Sequence, residues 1–269
     1  MNYVNKLGST KRFLYFFGVR QKIAIKNLFY SNSNNQHLFI LSPPFCGSTL
    51  LNEILSSSNN VSCNNNIGLR EGQQLPIVKD ILFTKERWDP KKEINWQVIH
   101  SIWDQYWDKS KGVFLEKSPP NICRAKKIEN EFQNAKFICL TRNPYAQVEG
   151  KMRRHKTLAK EAAELSIKYL KYQKENIEQL KSTLLISYEE LAENPIVIKN
   201  SIISFLPELS DINIDLKFNA HNLRSKKNMA IINLNHEKIA KIKADDLIII
   251  NTIFREEEAL LNYFNYQIV

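Results

Sequence analysis

The chain lacks positive charge in one interval where a nucleotide-binding protein would need it. No lysine or arginine lies between Gln36 and Asn66. The glycine-bearing stretch inside that interval therefore does not carry the G-x-x-x-x-G-K-[ST] signature of a nucleoside-triphosphate P-loop, which argues against an ordinary kinase or NTPase. Cysteine is also sparse. Cys46, Cys63, Cys123 and Cys139 are scattered without a C-x-x-C pair, which argues against a zinc site and suits a reduced, cytoplasmic protein. Cys139, inside the run KFICL, reads as core packing. No apolar run approaches the roughly 20 residues needed to cross a bilayer. RFLYFFGV near the start is too short, is followed by charges and lacks a small-residue cleavage site. It reads as a frayed or docking segment in preference to a membrane-surface helix, with peripheral membrane contact left open. None of the five histidines has a recognisable triad partner, and His155 in KMRRH reads as a solvated or phosphate-facing helix end. There is no internal repeat.

What is present is a chain of 269 residues with a net charge of +10 and 43% hydrophobic residues, enough for one large well-cored domain or two small ones. The basic balance suits phosphate-bearing ligands, nucleic acid or an anionic membrane surface without choosing among them. Short apolar runs predict strands over His37–Ser42, Gly112–Glu116, Lys136–Thr141 and Thr183–Ser187. Helical patterns cover Thr49–Ser57, Trp96–Trp107, Pro119–Phe132, Leu158–Leu180, Ile196–Leu206 and Asp245–Tyr263. This alternation predicts an α/β domain over 37–269. Its central, mostly parallel sheet is flanked by helices, with ligands at the carboxyl ends of the strands. Residues 1–36 form a basic and apolar segment closed by a polar linker over Ser31–Gln36. Asp211–Asn235 reads as a loop.

The stretch HLFILSPPFCGSTLLNEIL, His37–Leu55, joins strand to helix. Pro43 and Pro44 stop the strand, Gly47 permits a tight turn, and Ser48 or Thr49 is placed to cap the helix. Free N–H groups and the helix dipole then make an anion site. Taken alone, the same residues also fit a plain capped helix.

Three further segments follow in order: FLEKSPPN (Phe114–Asn121), KFICLTRNPYAQV (Lys136–Val148) and LLISYEELAENP (Leu184–Pro195). Together with SPPFCGSTLL they resemble the sulfotransferase family that uses 3′-phosphoadenosine 5′-phosphosulfate (PAPS). That family has a P-R-S-G-T-T loop, an R-[ND]-P turn and a later Y-E-[DE]-L. The tyrosylprotein branch is nearest in local detail, and the tail NLNHEKIAKI is similar to bacterial members. The resemblance implies the sulfotransferase fold, with Pro44, Phe45, Cys46, Gly47, Ser48, Thr49 and Leu50 as a P-loop-like phosphosulfate loop. It implies Arg142 on the 3′-phosphate, where an arginine fork has the right geometry, and a nucleotide contact for Tyr188. It places Lys117 beside the bridging oxygen and Glu71, in GLREGQQLP, as the base that takes the acceptor proton. Ser225 (catalytic), Lys226 and Lys227, in NLRSKKN, would cover the phosphosulfate. Each residue has a plainer reading: a helix-flanking surface arginine, a solvated lysine, a loop carboxylate paired with Arg70, a solvated charge run.

Two departures stand out. The usual arginine or lysine of the loop is Phe45, and the usual serine eight residues after the 3′-phosphate arginine is Gly150. Cys46 likewise replaces a loop serine. Lys117, Arg70 or the basic loop must then supply the charge. The function implied is sulfuryl transfer from PAPS, leaving adenosine 3′,5′-bisphosphate, to a hydroxyl of a carbohydrate, lipid, peptide or small metabolite, without a metal. The alternative is a weak or inactive nucleotide-binding pseudoenzyme of the same fold. Nucleic-acid binding lacks a basic stripe interleaved with aromatics. The acceptor and the oligomeric state have no readable code.

Overall fold

The computed structural model describes residues 9–30, 35–215 and 231–269. The elements run α1 (Ser9–Asn27), β1 (Gln36–Leu41), α2 (Ser48–Leu55), β2 (Val61–Cys63), α3 (Val78–Leu82), α4 (Trp96–Asp104), β3 (Val113–Glu116), α5 (Ala125–Glu131), β4 (Lys136–Thr141), α6 (Pro144–His155), α7 (Ala159–Gln179), β5 (Thr183–Ser187), α8 (Tyr188–Glu193), α9 (Pro195–Phe205), α10 (Asn235–Ile239), α11 (Ala244–Glu256) and α12 (Glu258–Tyr263). The five strands form one sheet in the order β2-β3-β1-β4-β5, with every pair parallel.

Apolar residues alternate along the strands and so serve both faces. Phe39, Leu41, Phe114, Phe137 and Cys139 join one core with Phe16 of α1, Trp103 of α4, Ile128 of α5 and Tyr169 of α7. Leu38, Ile40, Leu115, Ile138 and Leu140 join another with Leu51 and Ile54 of α2 and Ile198 and Ile202 of α9. Burial on both faces is why these strands read as continuous apolar runs. A third cluster packs α6, α7, α11 and α12 together.

The expected strands are all present. The sheet also contains β2, whose three residues in a polar context carry no strand signal. β1 begins at Gln36, which the sequence reading assigned to the linker. Pro119–Phe132 divides into a 3₁₀ turn over Pro119–Cys123 and α5, broken at Arg124 (φ −141°). Asp245–Tyr263 divides at Glu257. The segment that begins with α1 is helical and docked. Phe16 is buried, Arg12 donates to Gln74 O at 3.2 Å and Asn27 Nδ2 donates to Trp107 O at 2.9 Å. No helix among the described residues is long and apolar enough to cross a membrane.

Candidate active site

Four strands deliver their next residues to one edge of the sheet. β1 leads into Ser42–Gly47, β3 into Lys117, β4 into Arg142 and β5 into Tyr188. Because β1 lies between β3 and β4, its loop has Lys117 on one side and Arg142 on the other. The chain leaves β1 toward β3 and later returns to β4, so this edge is the switch point where ligands bind in such sheets.

The loop turns twice through left-handed backbone, at Phe45 (φ 69°) and Gly47 (φ 90°). A Cβ at Gly47 would lie 2.8 Å from the Tyr188 ring, so only glycine fits beneath that aromatic. Gly47 is also the N-cap of α2, and no side chain caps this end. The expected capping by Ser48 or Thr49 is therefore not seen: both are already helical. Leu51 N returns to Gly47 O, and the N–H groups of the first three helical residues, Ser48, Thr49 and Leu50, are left without a helical partner. Cys46 is fully buried, and burial raises its thiol pKa, so it supplies no thiolate.

Arg142 is held on three sides. Its Nε donates to Asn235 Oδ1 at 2.7 Å, its Nη1 donates to Phe45 O at 3.0 Å, and its guanidinium lies 3.7 Å from the centre of the Tyr188 ring. The remaining nitrogen, Nη2, is buried and unpartnered. Asn235 is itself fixed by Glu189, whose carboxylate also accepts from Asn143 N at the start of α6. Lys238, on α10, lies within the electrostatic reach of Arg142. Burial, then repulsion from Arg142, lowers its pKa to about 8. A buried guanidinium donor without a partner, with a second cation in its field, fits an anion.

On the other flank, Glu71 and Lys117 are both buried, with Lys117 Nζ 3.7 Å from Glu71 Oε1. Lys117 Nζ also donates to Leu69 O at 2.6 Å. Burial lowers its pKa, and the charges of Glu71 and Glu116 pull it back. Glu71 Oε2 accepts from Gln73 Nε2 at 2.7 Å. Glu71 is thus neither solvated nor paired with Arg70, which reaches instead toward Asn52 at 3.5 Å and Glu53 at 4.0 Å. Glu116, read from sequence only as a strand end, organises the turn. It accepts from Gly72 N, Ser118 Oγ and Asn121 Nδ2, and burial raises its pKa to about 7. Ser118 accepts from Gln73 N and does not cap the following turn through its side chain.

The two departures in the sequence meet in space. A Cβ at Gly150 would stand 3.1 Å from the Phe45 ring, so the missing serine makes room for the aromatic that replaces the loop cation. The ring also meets His155 edge-on at 5.6 Å. Gly150→Ser alone is expected to cost about 1–3 kcal/mol of stability by overpacking. In combination with Phe45→Arg that cost should shrink measurably, because contacting positions are coupled. A urea-denaturation double-mutant cycle checks this; additive costs would mean that the two positions are independent.

Beside Phe45 opens a cavity of about 160 Å³, lined by the aromatics Phe45, Trp88 and Tyr169 and the basic residues Arg87, Lys151 and His155. Gln147 Oε1 and Ser166 Oγ, which also line it, are buried without a hydrogen-bond partner. Sequence reasoning assigned no role to Lys238, Asn235 or Glu116, although Asn235 and Lys238 lie in the tail NLNHEKIAKI and Glu116 in FLEKSPPN. Ser225, Lys226 and Lys227 lie outside the described residues. Among the described residues no cluster of three or more histidine, cysteine, aspartate or glutamate side chains is placed to hold a metal.

A family model described as the sulfotransferase family matches residues 37–209. Among solved structures, similar folds include the sulfotransferase domain from the curacin biosynthetic pathway, at 17% identity and a TM-score of 0.51 over 87% of this chain and 99% of that one. A sulfotransferase from Alicyclobacillus acidocaldarius is similar at 15% identity and a TM-score of 0.51, covering 87% and 96%. One from Mycobacterium avium is similar at 12% and 0.51, covering 93% and 82%. At these identities the likeness establishes a shared fold. Curated protein sequences give no match.

Proposed function

The chain belongs to the sulfotransferase family, and on that premise we propose that it transfers a sulfuryl group from PAPS to an acceptor hydroxyl by in-line displacement. The observation that carries the donor assignment is the buried, unpartnered Arg142 Nη2, with Lys238 as a second cation in its field. These two groups would hold the 3′-phosphate, with Tyr188 backing the guanidinium. The N–H groups of Ser48, Thr49 and Leu50, with the two hydroxyls, would hold the 5′-phosphosulfate at the start of α2. The donor supplies an activated sulfuryl group, whose transfer is analogous to phosphoryl transfer and rests on positioning and charge stabilisation.

Glu71 takes the acceptor proton. Its neighbour Lys117, 3.7 Å away, offsets charge on the leaving oxygen. Glu116 is a positioning residue that fixes the Glu71–Gln73 turn. Ser225, Lys226 and Lys227 are assigned as a cover by the family resemblance. The cavity beside Phe45, whose lining includes neither Glu71 nor Lys117, would receive the part of the acceptor remote from the reacting hydroxyl. Its aromatic walls suit an apolar or aromatic body, its cations Arg87 and Lys151 suit an anionic group, and Gln147 Oε1 suits a donor hydroxyl. Four free cysteines suit work in the reducing cytoplasm. The competing reading, a nucleotide-binding pseudoenzyme, rests on Phe45 standing where the family has a cation. The Lys117–Glu71 pair favours an active site.

Adenosine 3′,5′-bisphosphate should raise the melting temperature, since it binds the native state alone; at a hundredfold excess over Kd the stabilisation is about 2.7 kcal/mol. Affinity should fall as the pH rises through about 8, where Lys238 of the free protein loses its proton. The sign follows from the anion raising that pKa, so binding takes up a proton above it. An unchanged melting curve at millimolar nucleotide would remove the donor assignment.

A further inference from the structure

The helix α1 buries one side and leaves a second apolar side in water. Phe16 packs into the core, with Tyr15 and Val19 against the same cluster. At 100° per residue, Phe13, Leu14, Phe17 and Ile25 fall within an arc of about 120° on a different side of the helix. These four, with Leu28, Phe29 and Tyr30 just beyond the helix, are 45% to 80% exposed. Singly exposed apolar residues are ordinary; seven on one short segment are not.

Charge identifies what covers this face. The helix carries Lys11, Arg12, Arg20, Lys22 and Lys26 and no aspartate or glutamate. Lys11 and Lys22 lie along one border of the apolar arc and Arg20 along the other. Lys11 and Lys22 are exposed, and Lys26, although paired with Asp108 at 2.5 Å, keeps 44% of its side chain exposed. An apolar stripe bordered by cations is the pattern of a helix lying in the interface of a bilayer with anionic lipid. A protein partner that buries an apolar face gives no reason for an all-basic border. The helix is also tied to the reacting edge, since Arg12 donates to Gln74 O, three residues from Glu71.

We propose that α1 docks the protein on an anionic membrane surface, with Phe13, Leu14, Phe17 and Ile25 inserted at the headgroup boundary and Lys11, Arg20 and Lys22 on the lipid phosphates. This docking is independent of the reaction assigned to the site. The sequence reading favoured a docking segment over a surface helix. One side of α1 packs on the protein through Phe16, and the exposed side carries the second role.

The test is co-sedimentation of the full chain with vesicles of phosphatidylcholine alone and of phosphatidylcholine with phosphatidylglycerol at about three to one. The protein should partition onto the anionic vesicles, more weakly onto the neutral ones, and should be released by salt at about 0.5 M. The triple substitution Phe13→Ser, Leu14→Ser, Phe17→Ser alters only exposed side chains and leaves Phe16 in place. It should lower partitioning by at least about tenfold with an unchanged melting temperature. Lys11→Glu with Lys22→Glu should abolish the preference for anionic lipid. Absence of vesicle binding by the parent, or equal partitioning of parent and triple variant, would overturn the proposal. A dimer in light scattering that the triple variant dissociates, with no vesicle binding, would overturn it in favour of self-association.

Discussion

Glu71→Gln lowers the rate of sulfuryl transfer by about 10²–10⁴-fold, the usual worth of base assistance, while affinity for adenosine 3′,5′-bisphosphate stays the same. The substitution keeps the shape of the side chain and an oxygen able to accept from Gln73 Nε2, which now donates to Glu71 at 2.7 Å. It removes the proton acceptor and the negative charge 3.7 Å from Lys117. A buried lysine without its carboxylate is costly, so the variant should also melt at a lower temperature. The two effects separate by pH. Loss of a base removes the acidic limb of the pH–rate profile, whereas loss of a structural ion pair lowers the melting temperature and leaves that limb in place. Rates equal in the two proteins would make Glu71 a partner of Lys117 and nothing more.

Arg142→Ala removes most of the thermal stabilisation by adenosine 3′,5′-bisphosphate, weakening its binding by at least about tenfold. Charge-assisted hydrogen bonds contribute about 1.5–3 kcal/mol each, and the guanidinium has one buried nitrogen free for the phosphate. The loss reaches further than the phosphate. Arg142 Nη1 also holds the carbonyl of Phe45 at 3.0 Å, and Phe45 sits in left-handed backbone that costs a non-glycine residue about 1–2 kcal/mol. Without that tie the loop should relax. Arg142→Lys distinguishes the two contributions. It restores a charge but not the fork, so nucleotide binding should recover only in part. Full nucleotide stabilisation of the alanine variant in a thermal melt would show that the 3′-phosphate is held elsewhere.

The sheet was legible because four of its strands are short apolar runs, three of them (β1, β3 and β4) buried on both faces. β2 was not, since Val61, Ser62 and Cys63 stand among asparagines and pair only through the edge of β3. Helix α6 was hidden for a related reason. Its inward face does carry Tyr145, Val148 and Met152 at helical spacing, but the buried Gln147, Glu149 and Gly150 between them break the apolar run. The candidate site was legible where a residue ends a strand: Lys117, Arg142 and Tyr188 are placed by the sheet itself. It was illegible where two distant segments meet. Phe45 and Gly150 read as separate losses and are one contact. Lys238 reads as one lysine among many, and only the fold brings it into the field of Arg142. The link from Glu189 through Asn235 to Arg142 joins three elements by side chains that no spacing rule connects.

Sulfuryl transfer itself is the most direct measurement: incubate the protein with sulfur-35 PAPS and a panel of hydroxyl-bearing acceptors, weighted toward aromatic compounds with an anionic group, and count label in the product. The active-site account predicts labelled product, its formation lost in Glu71→Gln and Lys117→Ala. Nucleotide binding with no labelled product from any acceptor would contradict it and make the chain a binding protein built on this fold.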